Sequence, residues 1–219
     1  MAIGGLVGRN QQQAVIDGCN STMTVTGSQW GPYIGGLVGM NDAATITGCI
    51  ARGEVAGGGN SYYVGGLAGI SSNTAAIGNS RSTGPVTGYI RVGGLVGVNA
   101  ASAISFSSAR GNVIAANSGI SSNIGGLAGE NNQGTISSCS STGSVTNLFS
   151  NGGGLVGDNN GGTIALSFSA GQVSGQYQVG GLVGNNENSA LVRDSYSTAA
   201  VQALNHVGGL IGYNLDSTV

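Results

Sequence analysis

Apolar and small residues return along this chain in a block of about 28–30 residues. The pentapeptide Gly-Gly-Leu-(Val/Ala/Ile)-Gly begins at Gly4, Gly35, Gly65, Gly93, Gly125, Gly153, Gly180 and Gly208, at intervals of 31, 30, 28, 32, 28, 27 and 28 residues. An asparagine follows in seven copies, at Asn10, Asn41, Asn99, Asn131, Asn159, Asn186 and Asn214, with Ser71 in the remaining one. Next comes an aliphatic column, Ile16, Ile46, Ile77, Ile104, Ile136, Ile164 and Val192. Nine residues later every copy has valine: Val25, Val55, Val86, Val113, Val145, Val173 and Val201. Small or apolar residues take every second place before that valine, which is the period of a strand. The same stretches are dense in Gly, Ser and β-branched residues, all poor helix formers.

Self-similarity at such a period marks a solenoid, a propeller or an array. A propeller blade needs four strands and about 40 residues or more, so one coil of a parallel β-solenoid fits better. The expected fold is all-β, a right-handed parallel β-solenoid (β-helix) of seven full coils plus a partial eighth, forming a single domain over 1–219. The hand is expected from the chirality of parallel crossovers. Coils about 4.8 Å apart would stack equivalent residues into ladders. Aliphatic ladders would fill the interior, and asparagine amides would pair from coil to coil. One point stays open at this level. Strict alternation puts Leu37 and Val38 on opposite faces, yet both columns are apolar. Either the strand is covered on both sides, or the paired glycines bend it and turn both side chains inward.

Composition narrows the partners. The chain of 219 residues has 44 glycines and 2 prolines, which excludes collagen. With 40% hydrophobic residues and a net charge of −2, it is not a disordered composition. All six cations are arginines scattered along the chain, so neither nucleic acid nor a polybasic membrane contact is expected. No apolar run approaches the roughly 18 residues of a membrane span. Metals and cofactors are not expected either. There is no Cys/His ligand spacing, and the glycine blocks lack the lysine and helix of a phosphate loop. No cationic and apolar leader precedes the first anchor. The chain begins and ends inside a repeat, so it reads as a segment of a larger protein or a self-stacking unit. No polar cap is evident at Met1 or Val219, and end-to-end self-association is therefore expected.

Copies such as Val92-Gly93-Gly94-Leu95-Val96-Gly97-Val98-Asn99 and Ile124-Gly125-Gly126-Leu127-Ala128-Gly129-Glu130-Asn131 resemble the GLUG motif family. These glycine-rich repeats belong to bacterial surface adhesins and immunoglobulin A peptidase-type proteins. The resemblance implies an extracellular or bacterial cell-surface location and a non-enzymatic structural or adhesive role, any peptidase activity lying in other domains. The implied partner is a host-surface glycan or protein.

Individual residues add candidates. Cys19, Cys49 and Cys139 share a column with Ser80, Ser107, Ser167 and Ser195, as a small buried side chain would. Cys19 and Cys49 stack on adjacent coils, although an in-register parallel pair is poorly oriented for a disulfide. Glu130 and Asp158 fall in one column on neighbouring coils, near the separation of a glycosidase pair, which keeps a polysaccharide-acting enzyme as an alternative. The expected reading is turn-end carboxylates in solvent, because the flanking copies carry Met40, Val98, Asn185 and Tyr213. His206 has Asp194 and Ser195 upstream, which alone defines no triad. Thr22, Thr24 and Thr26, with Thr83, Thr87, Thr142 and Thr146, suggest an outward threonine array like that of ice-binding solenoids. Arg52, Glu54 and Arg110 interrupt it. Trp30, Tyr33, Tyr62, Tyr63, Tyr89 and Tyr177 are expected as exposed aromatics in the loosely patterned segments, suited to sugar or protein contact.

Overall fold

A computed structural model describes residues 1–27, 33–116, 122–146 and 149–219. Among these residues every regular element is a strand, and the strands stack into a parallel β-solenoid of about seven turns. One coil illustrates the path. It runs through Tyr63–Gly65 (sheet I), Ala68–Ser72 (sheet II), Ala76–Gly78 (sheet III), Arg81–Ser82 (sheet IV) and Val86–Gly88 (sheet V). Sheets I and II have eight strands, and the other three have seven. Equivalent residues pair directly between coils. Val55 lies between Val25 and Val86, and Ile77 between Ile46 and Ile104.

The glycine block is not one strand. Gly35 ends a strand of sheet I and Val38 begins one of sheet II, with a bend at residues 36–37. The backbone N–H groups of Leu37 and Val38 both donate to the Leu67 carbonyl of the next coil, each at 2.9 Å. Both side chains are fully buried. The open question in the sequence is therefore settled in favour of the bend. Alternation fails here because Leu37 lies in the bend between the two strands and only Val38 lies in one of them.

The bend needs glycine because backbone meets backbone there. A Cβ on Gly126 would stand under 3.0 Å from the Gly154 carbonyl of the next coil and from Ser141 Oγ of its own. This column opposes Ser21, Ala51, Ser82, Ala109, Ser141, Ser169 and Ser197, and the coil is pinched between them. The pinch divides the interior into two apolar stacks. One holds the Leu37 column with Val38, Ile46 and Cys49, and the other holds Val55 with Ile34 and Val64. Each buried aliphatic side chain contributes roughly 1.5–3 kcal/mol.

Polar ladders run inside as well. Asn99 Nδ2 donates to Asn131 Oδ1 at 2.7 Å, and Asn131 to Asn159, Asn159 to Asn186 at 2.8 Å each. Each of these three amides also donates to the carbonyl three residues ahead, closing its own corner. Ser71 splits the ladder, accepting from Asn41 Nδ2 at 3.4 Å. The Cys/Ser column has a comparable role. The Cys49 backbone N–H donates to Ser80 Oγ, and Ser80 N–H to Ser107 Oγ, both at 3.1 Å. Small size is thus only part of the reason for that column. Cys19, Cys49 and Cys139 are free thiols. Burial pushes Cys139 up to about 11 and raises Cys49 as well, so neither is a ready thiolate.

Candidate functional site

The bend gives the coil a re-entrant notch, because the outward side chains of sheets I and II face each other across it. Sheet I contributes the column Tyr33, Tyr63, Arg91, Asn123, Asn151, Gln178 and His206. Sheet II contributes Arg9, Met40, Ile70, Val98, Glu130, Asp158, Asn185 and Tyr213, paired from coil to coil. Gly39 belongs to this arrangement. A Cβ there would stand under 3.0 Å from the backbone of Ile3 and Gly8 on the preceding coil, so the sheets could not close together. From Arg91 onward the sheet I residues adopt left-handed φ, between 51° and 60° for Arg91, Asn123, Asn151, Gln178 and His206. That conformation costs a non-glycine residue roughly 1–2 kcal/mol.

The contents of the notch change along the axis. At Tyr33 and Tyr63 the rings lie 5.1 Å apart with planes tilted by 39°. Arg91 Cζ sits 5.5 Å from the Tyr63 centroid, and its Nε donates to Glu130 Oε2. Burial opposes the Arg91 charge, but the hydrogen bond and charge of Glu130 outweigh it and raise the guanidinium pKa. Asn123 Nδ2 then bridges two acids, donating to Glu130 Oε2 and Asp158 Oδ2 at 3.2 Å each. Asn132 Nδ2 reaches Glu130 Oε1 at 3.3 Å, and Asn185 Nδ2 reaches Asp158 Oδ1 at 3.1 Å. Asn151 Nδ2 donates to Asn123 Oδ1 at 3.0 Å. At the far end the His206 and Tyr213 rings meet edge-on at 5.4 Å.

Glu130 and Asp158 are only 5% and 6% exposed, which corrects the expectation of carboxylates at solvated turns. The notch walls and neighbouring amides cover them. Burial, then the charges of Glu130 and Glu187, push Asp158 up to about 7. Sequence reasoning saw the two acids in one column, with Asn185 next in it, but missed Arg91 and Asn123. A signal was present, since Asn123, Asn151 and Gln178 share one position before successive anchors. Among the described residues no three His, Cys, Asp or Glu side chains converge as a metal-binding group.

The other candidates fall as follows. Tyr62 is exposed and Tyr33 and Tyr63 are half-buried, whereas Tyr89 is only 5% exposed, against its expected place among surface aromatics. Tyr89 stands at the one-residue step between the strand Val86–Gly88 of sheet V and the strand Ile90–Gly93 of sheet I. Tyr177 is exposed and packs edge-on against Phe149, at 5.8 Å. Trp30 lies outside the described residues. Thr22, Thr24, Thr26 and Thr142 are exposed, and Thr83, Thr87 and Thr146 half-exposed. In sheet V their column reads Thr26, Ala56, Thr87, Ile114, Thr146, Ser174, Gln202, so threonine recurs on alternate coils only. The Val25 to Val173 column is buried, and Val201 is half-buried at the last coil. His206 belongs to sheet I, while Asp194 pairs with Arg193 at an outer corner and Ser195 Oγ donates to the Arg193 carbonyl, so no triad assembles.

The GLUG motif profile matches residues 1–26, 120–146 and 175–202. No curated protein matches the chain, and no solved structure does. The three matched segments each contain one glycine block, at Gly4, Gly125 and Gly180, and the intervening coils carry the same block. The chain is a β-solenoid in which three of the repeats match the GLUG motif.

Proposed function

We propose that the chain is a non-enzymatic structural and adhesive module of a bacterial surface protein, displayed outside the cell. It would contact a glycan or a protein through the aromatic end of the notch. The carrying observation is the Tyr33–Tyr63 pair, two half-buried rings 5.1 Å apart on a continuous parallel ladder. Stacked amphipathic rings offer an apolar face and a polar edge, the combination that suits a sugar ring or a peptide. The ladder holds them in place, since Tyr33 and Tyr63 pair directly in sheet I. Tyr62 stands exposed beside them. Family resemblance supports the location and the adhesive role.

Screening the chain against immobilised glycans and host-cell surfaces tests this reading. Binding that falls at least tenfold in a Tyr33→Ala, Tyr63→Ala double variant with an unchanged circular dichroism spectrum supports it. Undiminished binding by that variant rejects the assigned surface.

A second reading, a polysaccharide-acting enzyme, draws on Asp158, a carboxyl lifted toward neutrality beside another acid. Against it stands the packing. Arg91, Asn123, Asn132 and Asn185 already occupy the carboxylate oxygens, and both acids are nearly sealed from solvent. Loss of a measured glycan cleavage on Glu130→Gln would favour the enzyme.

A further inference from the structure

The six arginines divide by partner. Arg9 pairs with Asp42, Arg91 with Glu130 and Arg193 with Asp194, and among the described residues no carboxylate pairs with Arg52, Arg81 or Arg110. Scattered in sequence, these three come to one face on three consecutive coils. Arg81 in sheet IV pairs with Ile50 on one side and Ser108 on the other, and Arg52 and Arg110 stand two residues beyond those neighbours. Ala51, Ser82 and Ala109 alternate with them and are buried, so the arginines point outward. The ladder runs on through them. The Arg52 N–H donates to the Ser21 carbonyl at 2.8 Å and the Arg110 N–H to the Ser82 carbonyl at 3.0 Å. With coils about 4.8 Å apart and a rise of about 3.3 Å per residue, each outer arginine has its Cα roughly 8 Å from that of Arg81.

The surroundings leave this charge open. Residues 55 to 129 include no acid, and Glu54, exposed two residues beyond Arg52, forms no ion pair. Like charges on neighbouring strands repel, so the cluster favours an anion from outside. A second observation comes from Arg81. It is half-buried, and its Nε is buried with no hydrogen-bond partner. Buried donors are rarely left unmade. A guanidinium offers its N–H groups as a planar fork to an oxyanion, and Arg81 lacks that acceptor.

We infer that Arg52, Arg81 and Arg110 form a binding face for an acidic polysaccharide, whose sulfate or carboxylate groups the guanidinium forks hold. Hydroxyl side chains border the triad and suit sugar hydroxyls: Thr83 between Arg52 and Arg110, Ser108 beside Arg81, and Thr142 on the coil after Arg110. Nucleic acid fits less well, because three cations on a chain of net charge −2 release few counterions and the sheet face projects nothing into a groove. The arginines that interrupt the threonine array are thus a site of their own. It lies on sheet IV, away from the sheet I and II notch, and stands apart from the adhesive reading.

Binding to dextran sulfate and to alginate, as sulfated and carboxylated arms with neutral dextran as the blank, tests this at about 50 mM NaCl. The chain should bind an acidic polymer and not dextran, with log K falling against log salt at a slope of about −2, roughly −0.7 per contact on a flexible polyanion. Arg52→Gln with Arg110→Gln, both on the surface, should keep the circular dichroism spectrum and weaken binding about tenfold or more. Arg9→Gln with Arg193→Gln removes the same charge elsewhere and should bind as the parent does. The Tyr33→Ala, Tyr63→Ala variant should also bind as the parent does, which separates this face from the notch. Binding to neither acidic polymer, equal weakening by the two arginine pairs, or tighter binding to single-stranded DNA than to either polymer overturns the inference.

Discussion

Asn131 and Asn159 lie on consecutive coils, and the Asn131 amide donates to Asn159 Oδ1 at 2.8 Å while both residues are completely buried. The same amide closes its own corner on the Gly134 carbonyl, and its oxygen accepts from Asn99. Removing it would orphan groups on three coils at once. Asn131→Ala is expected to cost about 3 kcal/mol, since each buried unpaired group costs roughly 1–3 kcal/mol. Asn214→Ala, at the exposed end of the ladder, should cost under about 1 kcal/mol. Denaturant unfolding of the two variants checks the contrast, and equal losses would mean that the ladder does not act as a chain.

The glycine block makes a sterically sharper prediction. A Cβ on Gly126 runs into the Gly154 carbonyl and Ser141 Oγ, whereas one on Gly78 finds its nearest neighbour at 3.7 Å, in ordinary van der Waals contact. Gly126→Ala should destabilise by more than about 3 kcal/mol or prevent folding, because backbone on the next coil has to move. Gly78→Ala should stay within about 1 kcal/mol of the parent and can stabilise by restricting the unfolded chain. Tm differences between the two variants report the pinch directly.

How much of this was legible beforehand follows from what repeats. The Val, Ile and Asn columns recur in every coil or nearly so, and their spacing alone predicted parallel stacking in the register observed. The inward placing of both Leu37 and Val38 was not decidable, because it depends on a change of sheet at Gly36 that no periodicity encodes. The notch was harder still. Its two columns change residue type along the axis, and they come together only through the approach of sheets I and II. Glu130 and Asp158 therefore read as ordinary polar surface, and Tyr89 as an exposed aromatic, when burial in both cases is set by three-dimensional neighbours.

Strain at the corner between sheets III and IV was equally hidden. Gly18, Gly48, Asn79, Phe106, Ser138, Leu166 and Asp194 all take left-handed φ there. Glycine and asparagine tolerate it, whereas Leu166 at φ 50° is 59% exposed and gains little packing in return. Leu166→Asn should stabilise the chain by about 0.5–1 kcal/mol. An unchanged or lower urea midpoint in that variant would show that Leu166 makes compensating contacts at the corner.

Asp158 makes stability depend on pH. Its ordinary value of 3.8 rises to about 7 in the folded chain, through burial first and then Glu130 and Glu187, with Arg91 and the Asn185 amide pulling the other way. Between those values the folded chain keeps a proton that the unfolded chain has released. Folding stability from this group is therefore greatest below pH 4, falls as the pH rises toward 7, and is flat above it. The full shift corresponds to about 4 kcal/mol, at roughly 1.4 kcal/mol per unit. Asp158→Asn removes the ionisation and keeps a side chain of the same shape against Asn123 and Asn185. The variant should be more stable than the parent at pH 8 by a few kcal/mol and nearly equal to it at pH 4. Parallel pH profiles for the two chains would show that the folded protein ionises Asp158 at little cost, and would remove the buried, underpaired charge on which this account of the notch depends.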